Sequence, residues 1–277
     1  MSSSKPSASS TNAKLCGLLW TRSEVSRRAP LQQAPARPRI EFPAETIMQI
    51  VLLPGMDGTG ELFGHFAKAL QGSFATTAVR YPNHVVLSYD ELMAYVGSAI
   101  PSSEPFILLA ESFSTPLAIE CAAANPPNLK ALVICAGFSH SPARGLRRFA
   151  VSCLAPLLFR FRPSNFVLEY LLLGQGAAPS LLNEVRAAIA SVQPEVSSAR
   201  LRAVLHCDVR PALRKISVPI LYIQAGHDRM VPASCIREIR QIQPTTDAVV
   251  INGPHLILQR EPRLVAEAVE RFVRQLP

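Results

Sequence analysis

No uninterrupted apolar run in this 277-residue chain is long enough to cross a bilayer. A spanning helix needs about 20 such residues, and the densest stretch, Phe166 to Leu173, is far shorter. A transmembrane segment is therefore not expected. The six cysteines (Cys16, Cys121, Cys135, Cys153, Cys207 and Cys235) form no C-x-x-C pair and no metal-ligand spacing. No metal and no cofactor are expected. Cys121 and Cys135 fall in a predicted helix and a predicted strand and read as buried free thiols, which favours a reducing, cytoplasmic compartment. Lys and Arg outnumber Asp and Glu, 28 to 20. Yet no basic stripe with interleaved aromatics occurs outside the N-terminal tail, so nucleic acid is not an expected partner. The apolar stretch Leu15–Trp20 is too short for a signal-peptide core of roughly 7–15 residues, and no convincing cleavage site follows it.

The charge that is present is unevenly placed. Residues 1–39 hold seven basic residues and one acid, so most of the formal net charge of +8 lies there. Residues 1–40 are rich in Ser, Ala, Arg and Pro, have no hydrophobic period, and read as a disordered basic tail. Their acid-poor, Arg-rich composition also suits an organelle transit peptide. The plainer account puts the true start at Met48, where the first strand begins. The hydrophobic content of 48% is ample for the core of one large domain with an insertion.

From Met48 the chain alternates between apolar strands and helices. Strands are expected at 48–53, 74–80, 106–110 and 130–135, with helices near 60–70, 88–99 and 113–124 between and after them. Two further strands carry Val218–Ala225 and Asp247–Ile251, and helices near 232–242 and 259–275 flank the last strand. The expected fold class is α/β, with a mostly parallel sheet of about six strands covered by helices on both faces. Residues 139–205 break the alternation. They read as helices at 145–158, 163–173, 179–192 and 197–205. Most of their apolar residues are expected to pack this segment onto the core. It also carries eight arginines against three glutamates. That excess favours anionic substrates and leaves peripheral membrane contact open.

Three residues stand just beyond strand ends. The run Phe106-Ile-Leu-Leu-Ala-Glu-Ser112-Phe-Ser-Thr-Pro-Leu-Ala118 stops abruptly at a serine and resumes with small and helix-forming residues. That is a strand–turn–helix with a serine at its tip. The small positions of the usual G-x-S-x-G pattern are Ala110 and Ser114 here, so the motif is a degenerate A-x-S-x-S. Asp228 follows one of the later strands and His255 the other. In a parallel sheet such ends share one edge, where active sites of open α/β sheets lie. Upstream, Ile50-Val-Leu-Leu-Pro-Gly-Met-Asp-Gly-Thr-Gly60 runs from a strand into a glycine-rich loop.

On these motifs the chain resembles the α/β-hydrolase family, in its serine esterase and lipase-like branch, over residues 47–277. The resemblance implies Ser112 as nucleophile, His255 as general base and Asp228 as the acid orienting it. It implies an oxyanion hole from the N–H groups of Phe113 and Met56, and a helical lid at 139–205. The expected reaction is hydrolysis of a small-molecule carboxylic ester with an apolar acyl group, through an acyl-enzyme. Acyl transfer and thioester cleavage use the same residues. A catalytically inactive binding protein of the same fold is the alternative from another class. Two departures from the family stand out: the elbow lacks both glycines, and Pro54-Gly55 stands where many relatives have His-Gly. His65, His84, His140, His206 and His227 are rival bases, and Asp208 is a rival acid. Asp57 is expected to shape the glycine loop, and Glu111 flanks the serine with no assigned role.

Overall fold

The computed structural model describes residues 48–276, except residue 144 and the side chains of 146–149 and 156. The expected tail lies outside these residues, as does Cys16. Six strands form one fully parallel sheet: β1 (Gln49–Leu53), β2 (Ala75–Ala78), β3 (Phe106–Glu111), β4 (Leu129–Cys135), β5 (Ile220–Ala225) and β6 (Asp247–Ile251), in the order β2-β1-β3-β4-β5-β6. Interleaved along the chain are α1 (Gly64–Leu70), α2 (Tyr89–Ala99), α3 (Thr115–Ala123), α4 (Gly145–Arg160), α5 (Asn165–Leu168), α6 (Pro179–Ala190), α7 (Pro194–His206), α8 (Arg210–Leu213), α9 (Ser234–Ile242), α10 (Ile257–Arg260) and α11 (Pro262–Val273).

The period-2 geometry of strands divides the core cleanly. Val51, Leu53, Leu108, Ala110, Leu132, Ile134 and Tyr222 face one side, with α2, α3, α8 and α9. Their chain neighbours Ile50, Leu52, Ile107, Leu109, Val133 and Ile223 face the other, with Phe66 and Leu70 of α1 and Val265, Val269 and Phe272 of α11. All six residues of β3 are buried, as a central strand covered on both faces requires. The edge strands β2 and β6 are partly exposed and more polar.

The fold class read from the sequence is the one observed. Several boundaries differ, for local reasons. The helix expected at 259–275 is interrupted: Pro262 starts α11 afresh after α10. The helix expected to begin at 197 begins at Pro194, the favoured first position for proline. The helix expected over 163–173 is α5 followed by a π-helical turn, Glu169–Leu173.

The segment 139–205 forms its own small core of Leu168, Leu173, Leu181, Leu182 and Val185, joined by Leu62 and Leu256. Contrary to expectation, Leu154, Leu157, Leu158, Phe161, Phe166 and Tyr170 are all at least half exposed, Phe166 at 73%. The helix α4 buries Ala155 fully, while its Leu154, Leu157 and Leu158 are exposed. No helix among the described residues is long and apolar enough to cross a membrane.

Candidate active site

Because all six strands are parallel, their carboxyl ends lie at one edge. The glycine loop follows β1 there, Ser112 follows β3, and the loops bearing Asp228 and His255 follow β5 and β6. The two later loops are laced together. Gly226 N–H donates to Ile251 O, and His227 N–H to Gly253 O, both at 2.8 Å.

Ser112 takes φ = 46°, in the left-handed region that non-glycine residues rarely enter. That backbone turns the hydroxyl away from the sheet, and Ser112 Oγ lies 2.9 Å from His255 Nε2. On the far side of the imidazole, Nδ1 lies 3.0 and 2.9 Å from the two carboxylate oxygens of Asp228. A carboxylate only accepts, so Nδ1 carries the proton and donates to Asp228. In the neutral ring Nε2 then accepts from Ser112 Oγ–H. Side-chain exposure of His255 and Asp228 is 6% and 1%. Asp228 Oδ1 also accepts from the N–H groups of Met230 and Val231, each at 2.8 Å, which fixes the carboxylate from below the ring.

The rival residues stand elsewhere. His65 faces Glu184, His140 faces Glu238, His206 bonds Arg202 O, and His84 and His227 are exposed. Asp208 is paired with Arg210, whose hydrogen bonds hold its carboxyl down at about 2. Asp57 bonds its own loop through Thr59 N–H at 2.9 Å and Thr59 Oγ at 2.6 Å.

Around Ser112 the packing is polar and specific. Ser114 Oγ donates to Pro54 O in the first loop, and Tyr81 Oη stands 2.9 Å from Ser114 Oγ. A serine has one hydroxyl proton. With that proton on Pro54, Tyr81 must donate to Ser114. Burial pushes the Tyr81 phenol well above its ordinary range, so it stays protonated. Tyr89 Oη donates to Phe113 O at 2.9 Å and its ring stacks on Phe113 at 5.1 Å. Thr115 Oγ1 donates to Ser112 O, and a Cβ at Gly137 would collide with that hydroxyl.

Glu111 is fully buried behind the serine. Burial raises its carboxyl to about 7, the charge of Asp57 adds to the rise, and His255, Gln259 and the Gly55 N–H oppose it. Arg200, from α7, is also buried and bonds the carbonyls of Met56, Asp57 and Pro82. Neither role is apparent from the motifs. Glu111 is an unrestricted position of the elbow motif, and Ser114 is one where only small size is expected. Arg200 is one of eight arginines in a segment whose charge suggests solvent-facing work.

A family profile described as "Alpha/beta hydrolase family" matches residues 50–268. Among curated proteins, the chain is similar to the pimeloyl-(acyl-carrier protein) methyl ester esterases of Xanthomonas. It is 26% identical to that of Xanthomonas oryzae pv. oryzae over 249 residues, covering 82% of this chain and 96% of that one. Among solved structures, the esterase of Exiguobacterium antarcticum superposes with a TM-score of 0.74 at 15% identity, over 82% of this chain and 92% of its own. The enol-lactonase of Burkholderia xenovorans LB400 gives 0.68 at 16% identity, over 82% and 92%. At those identities the structural likeness is one of fold. With its all-parallel six-stranded sheet and a profile match over most of its length, this chain belongs to the α/β-hydrolase family.

Proposed function

We propose that the protein hydrolyses a carboxylic ester through an acyl-enzyme on Ser112. The observation that carries this reading is the unbroken hydrogen-bonded line from Ser112 Oγ through His255 to Asp228. His255 Nε2 takes the hydroxyl proton as Oγ attacks the ester carbonyl carbon. The imidazolium that forms lies against the Asp228 carboxylate, which holds the ring in its productive tautomer. The carbonyl oxygen becomes an oxyanion and is met by the N–H groups of Phe113 and Met56. As the tetrahedral intermediate collapses, His255 returns the proton to the departing alkoxide. Water then repeats the sequence on the acyl-enzyme, with His255 as base, and releases the carboxylic acid and free Ser112.

The substrate class rests on chemistry and on the relatives. A serine nucleophile activated by a histidine suits acyl groups, and the Xanthomonas relatives are named for a methyl ester. The segment 139–205 acts as a lid. Its π-helical turn is fastened to both loops of the line: Leu256 N–H donates to Leu172 O at 3.0 Å, and Arg229 Nη1 to Tyr170 O at 2.8 Å. Leu173 and Leu256 share its apolar cluster, which favours an apolar acyl group at this edge.

The test is labelling by a fluorophosphonate probe, which needs an activated serine and no knowledge of the substrate. Wild type should label and hydrolyse nitrophenyl esters. Ser112→Ala should lose both while keeping its melting temperature. Undiminished labelling of the variant would refute Ser112 as nucleophile, and an unlabelled wild type would favour an inactive binding protein.

A further inference from the structure

An oxyanion hole works only if its two donors are held at a fixed spacing before the charge develops. One proposed donor, Met56 N–H, belongs to a tight glycine-rich turn. That turn closes through Gly58 N–H to Gly55 O at 3.0 Å, and Gly58 takes φ = 69°. Met56 packs against the core, Thr59 bonds Asp57, and Tyr81 N–H donates to Gly58 O at 2.8 Å, while the carbonyls of Met56 and Asp57 are gripped from outside the turn.

The grip comes from 144 residues away in sequence. Arg200, 3% exposed, reaches out of α7. Its Nη1 donates to Met56 O at 2.9 Å and to Asp57 O at 2.8 Å, and its Nη2 donates to Pro82 O at 2.8 Å. The guanidinium carbon lies 5.8 Å from the ring centroid of Tyr81 and 5.8 Å from that of Phe113. A Cβ on Gly58 would run into the guanidinium, so this glycine serves the approach of Arg200 as well as its own backbone angle. Three carbonyls and two ring faces take up the planar fork, which satisfies a cation that burial would otherwise penalise.

These contacts touch both proposed donors. Met56 N–H and Met56 C=O belong to the two planar peptide units that meet at the Met56 Cα, so holding the carbonyl of one limits how the other can turn about that Cα. Releasing the carbonyl lets the turn rock and swings the N–H. The other donor follows Ser112 on Phe113, whose ring lies under the same guanidinium.

We propose that Arg200 is a positioning residue for the oxyanion hole, fixing the Met56–Asp57 turn against Phe113 so that the two N–H groups are presented at one spacing. The proposal rests on the ester-hydrolase reading. On it, the helical segment does more than cover the site: one of its side chains completes the rigidity of the loop. It also gives this arginine a role other than attracting an anionic substrate.

The test compares Arg200→Met, Arg200→Lys and Arg200→Ala with wild type. Assays are fluorophosphonate labelling, steady-state hydrolysis of nitrophenyl butyrate, inhibition by an alkyl trifluoromethyl ketone, and thermal melting. A displacement of about 1 Å from productive geometry costs on the order of 100-fold. Arg200→Met should therefore lower kcat by about 10- to 100-fold with KM changed less than about threefold. The trifluoromethyl ketone, which forms an oxyanion in the site, should bind more weakly by the same factor as kcat. Added methylguanidinium should restore part of the activity of Arg200→Ala and none of a Ser112→Ala control. Arg200→Lys keeps the charge but cannot span three carbonyls. It should fold and still lose kcat, which covers the case in which the methionine or alanine variant fails to fold. A folded Arg200→Lys with kcat within twofold of wild type overturns the proposal. So does a loss confined to KM with unchanged ketone affinity, because then Arg200 only packs the lid. Absence of labelling in wild type overturns the ester-hydrolase reading itself and is recognised before any Arg200 variant is assayed.

Discussion

Replacing Glu111 by Gln should make the protein more stable, by much more at pH 8 than at pH 5. The carboxyl is fully buried, and burial, with the Asp57 charge behind it, raises it from 4.5 to about 7. A buried acid of this kind holds its proton longer in the folded state than in the unfolded chain. Below about pH 4.5 both states are protonated and the group has no effect. Between pH 4.5 and 7 the unfolded chain has ionised while the folded one has not, so stability falls as pH rises. Above about pH 7 both are ionised and the loss is complete. At about 1.4 kcal/mol per pH unit, the difference amounts to about 3 kcal/mol.

Glutamine removes that loss without removing the contacts. Its carbonyl can still accept from Gln259 Nε2, which donates to Glu111 Oε2 at 3.3 Å. Its amide can also donate to Gln259 Oε1, which has no hydrogen bond among the described residues. The assay is the melting temperature of variant and wild type, recorded side by side from pH 5 to 8. The comparison cancels every other titrating group except those coupled to Glu111, namely Asp57, His255 and Cys135. About 2.5 kcal/mol of that loss falls between pH 5 and 8, so for a domain of this size the variant should gain roughly 5–10 °C on wild type between the two ends of the series. A difference that stays flat, or that shrinks as pH rises, would refute the account of a neutral acid buried behind the serine.

Other substitutions probe the line itself. Asp228→Asn keeps an acceptor for Met230 and Val231 N–H but leaves His255 without its orienting carboxylate. Turnover of nitrophenyl butyrate should fall by about 10⁴-fold with little change in melting temperature. Ser114→Gly moves the elbow toward the common family pattern, yet it removes a buried hydrogen bond to Pro54 and strands the Tyr81 hydroxyl. It should cost about 1–3 kcal/mol in thermal or urea unfolding and lower kcat, and a neutral outcome would show that the hydroxyl is incidental. Esters of four to ten carbons should exceed acetyl esters in kcat/KM, tenfold for each ~1.4 kcal/mol of added apolar contact in the transition state. A flat profile would show that the apolar residues of 139–205 serve only their own packing.

Period and position in the chain make some of this molecule legible from its sequence. The strand Phe106–Glu111 announces itself because a central parallel strand must be apolar on both faces, and it is buried at all six residues. The chain order of Ser112, Asp228 and His255 is informative because parallel strands put every carboxyl end at one edge. Loop residues at three such ends meet even though they are far apart in sequence. Contacts between side chains of no particular period are not legible in this way. Arg200 differs in sequence in no respect from the exposed Arg202 two positions later, and only the packing of α7 decides which one turns inward. The exposed Leu157 and Phe166 mislead for the opposite reason. A helix presents apolar residues wherever they occur, and period alone does not say whether a neighbour covers them.

Two of the residues that depart from the family pattern, Ser114 and Pro54, are joined by one contact, a side-chain hydroxyl donating to a backbone carbonyl. A glycine at position 114 would satisfy the close crossing of strand and helix and nothing more. Serine satisfies it at slightly greater volume and adds a donor, and that donor goes to the carbonyl of Pro54, the residue that replaces the histidine of many relatives. The relay from Tyr81 through Ser114 to Pro54 fastens the start of the glycine loop to the elbow. Arg200 grips the same loop at Met56 and Asp57. The loop is thus tied at two places, once to the turn that carries Ser112 and once to the helical segment. A motif that reads as degenerate residue by residue is coherent as a set of contacts. In this chain the hydrogen bond of Ser114 adds to what the smallness of a glycine there would supply, so Ser114→Gly should weaken the site.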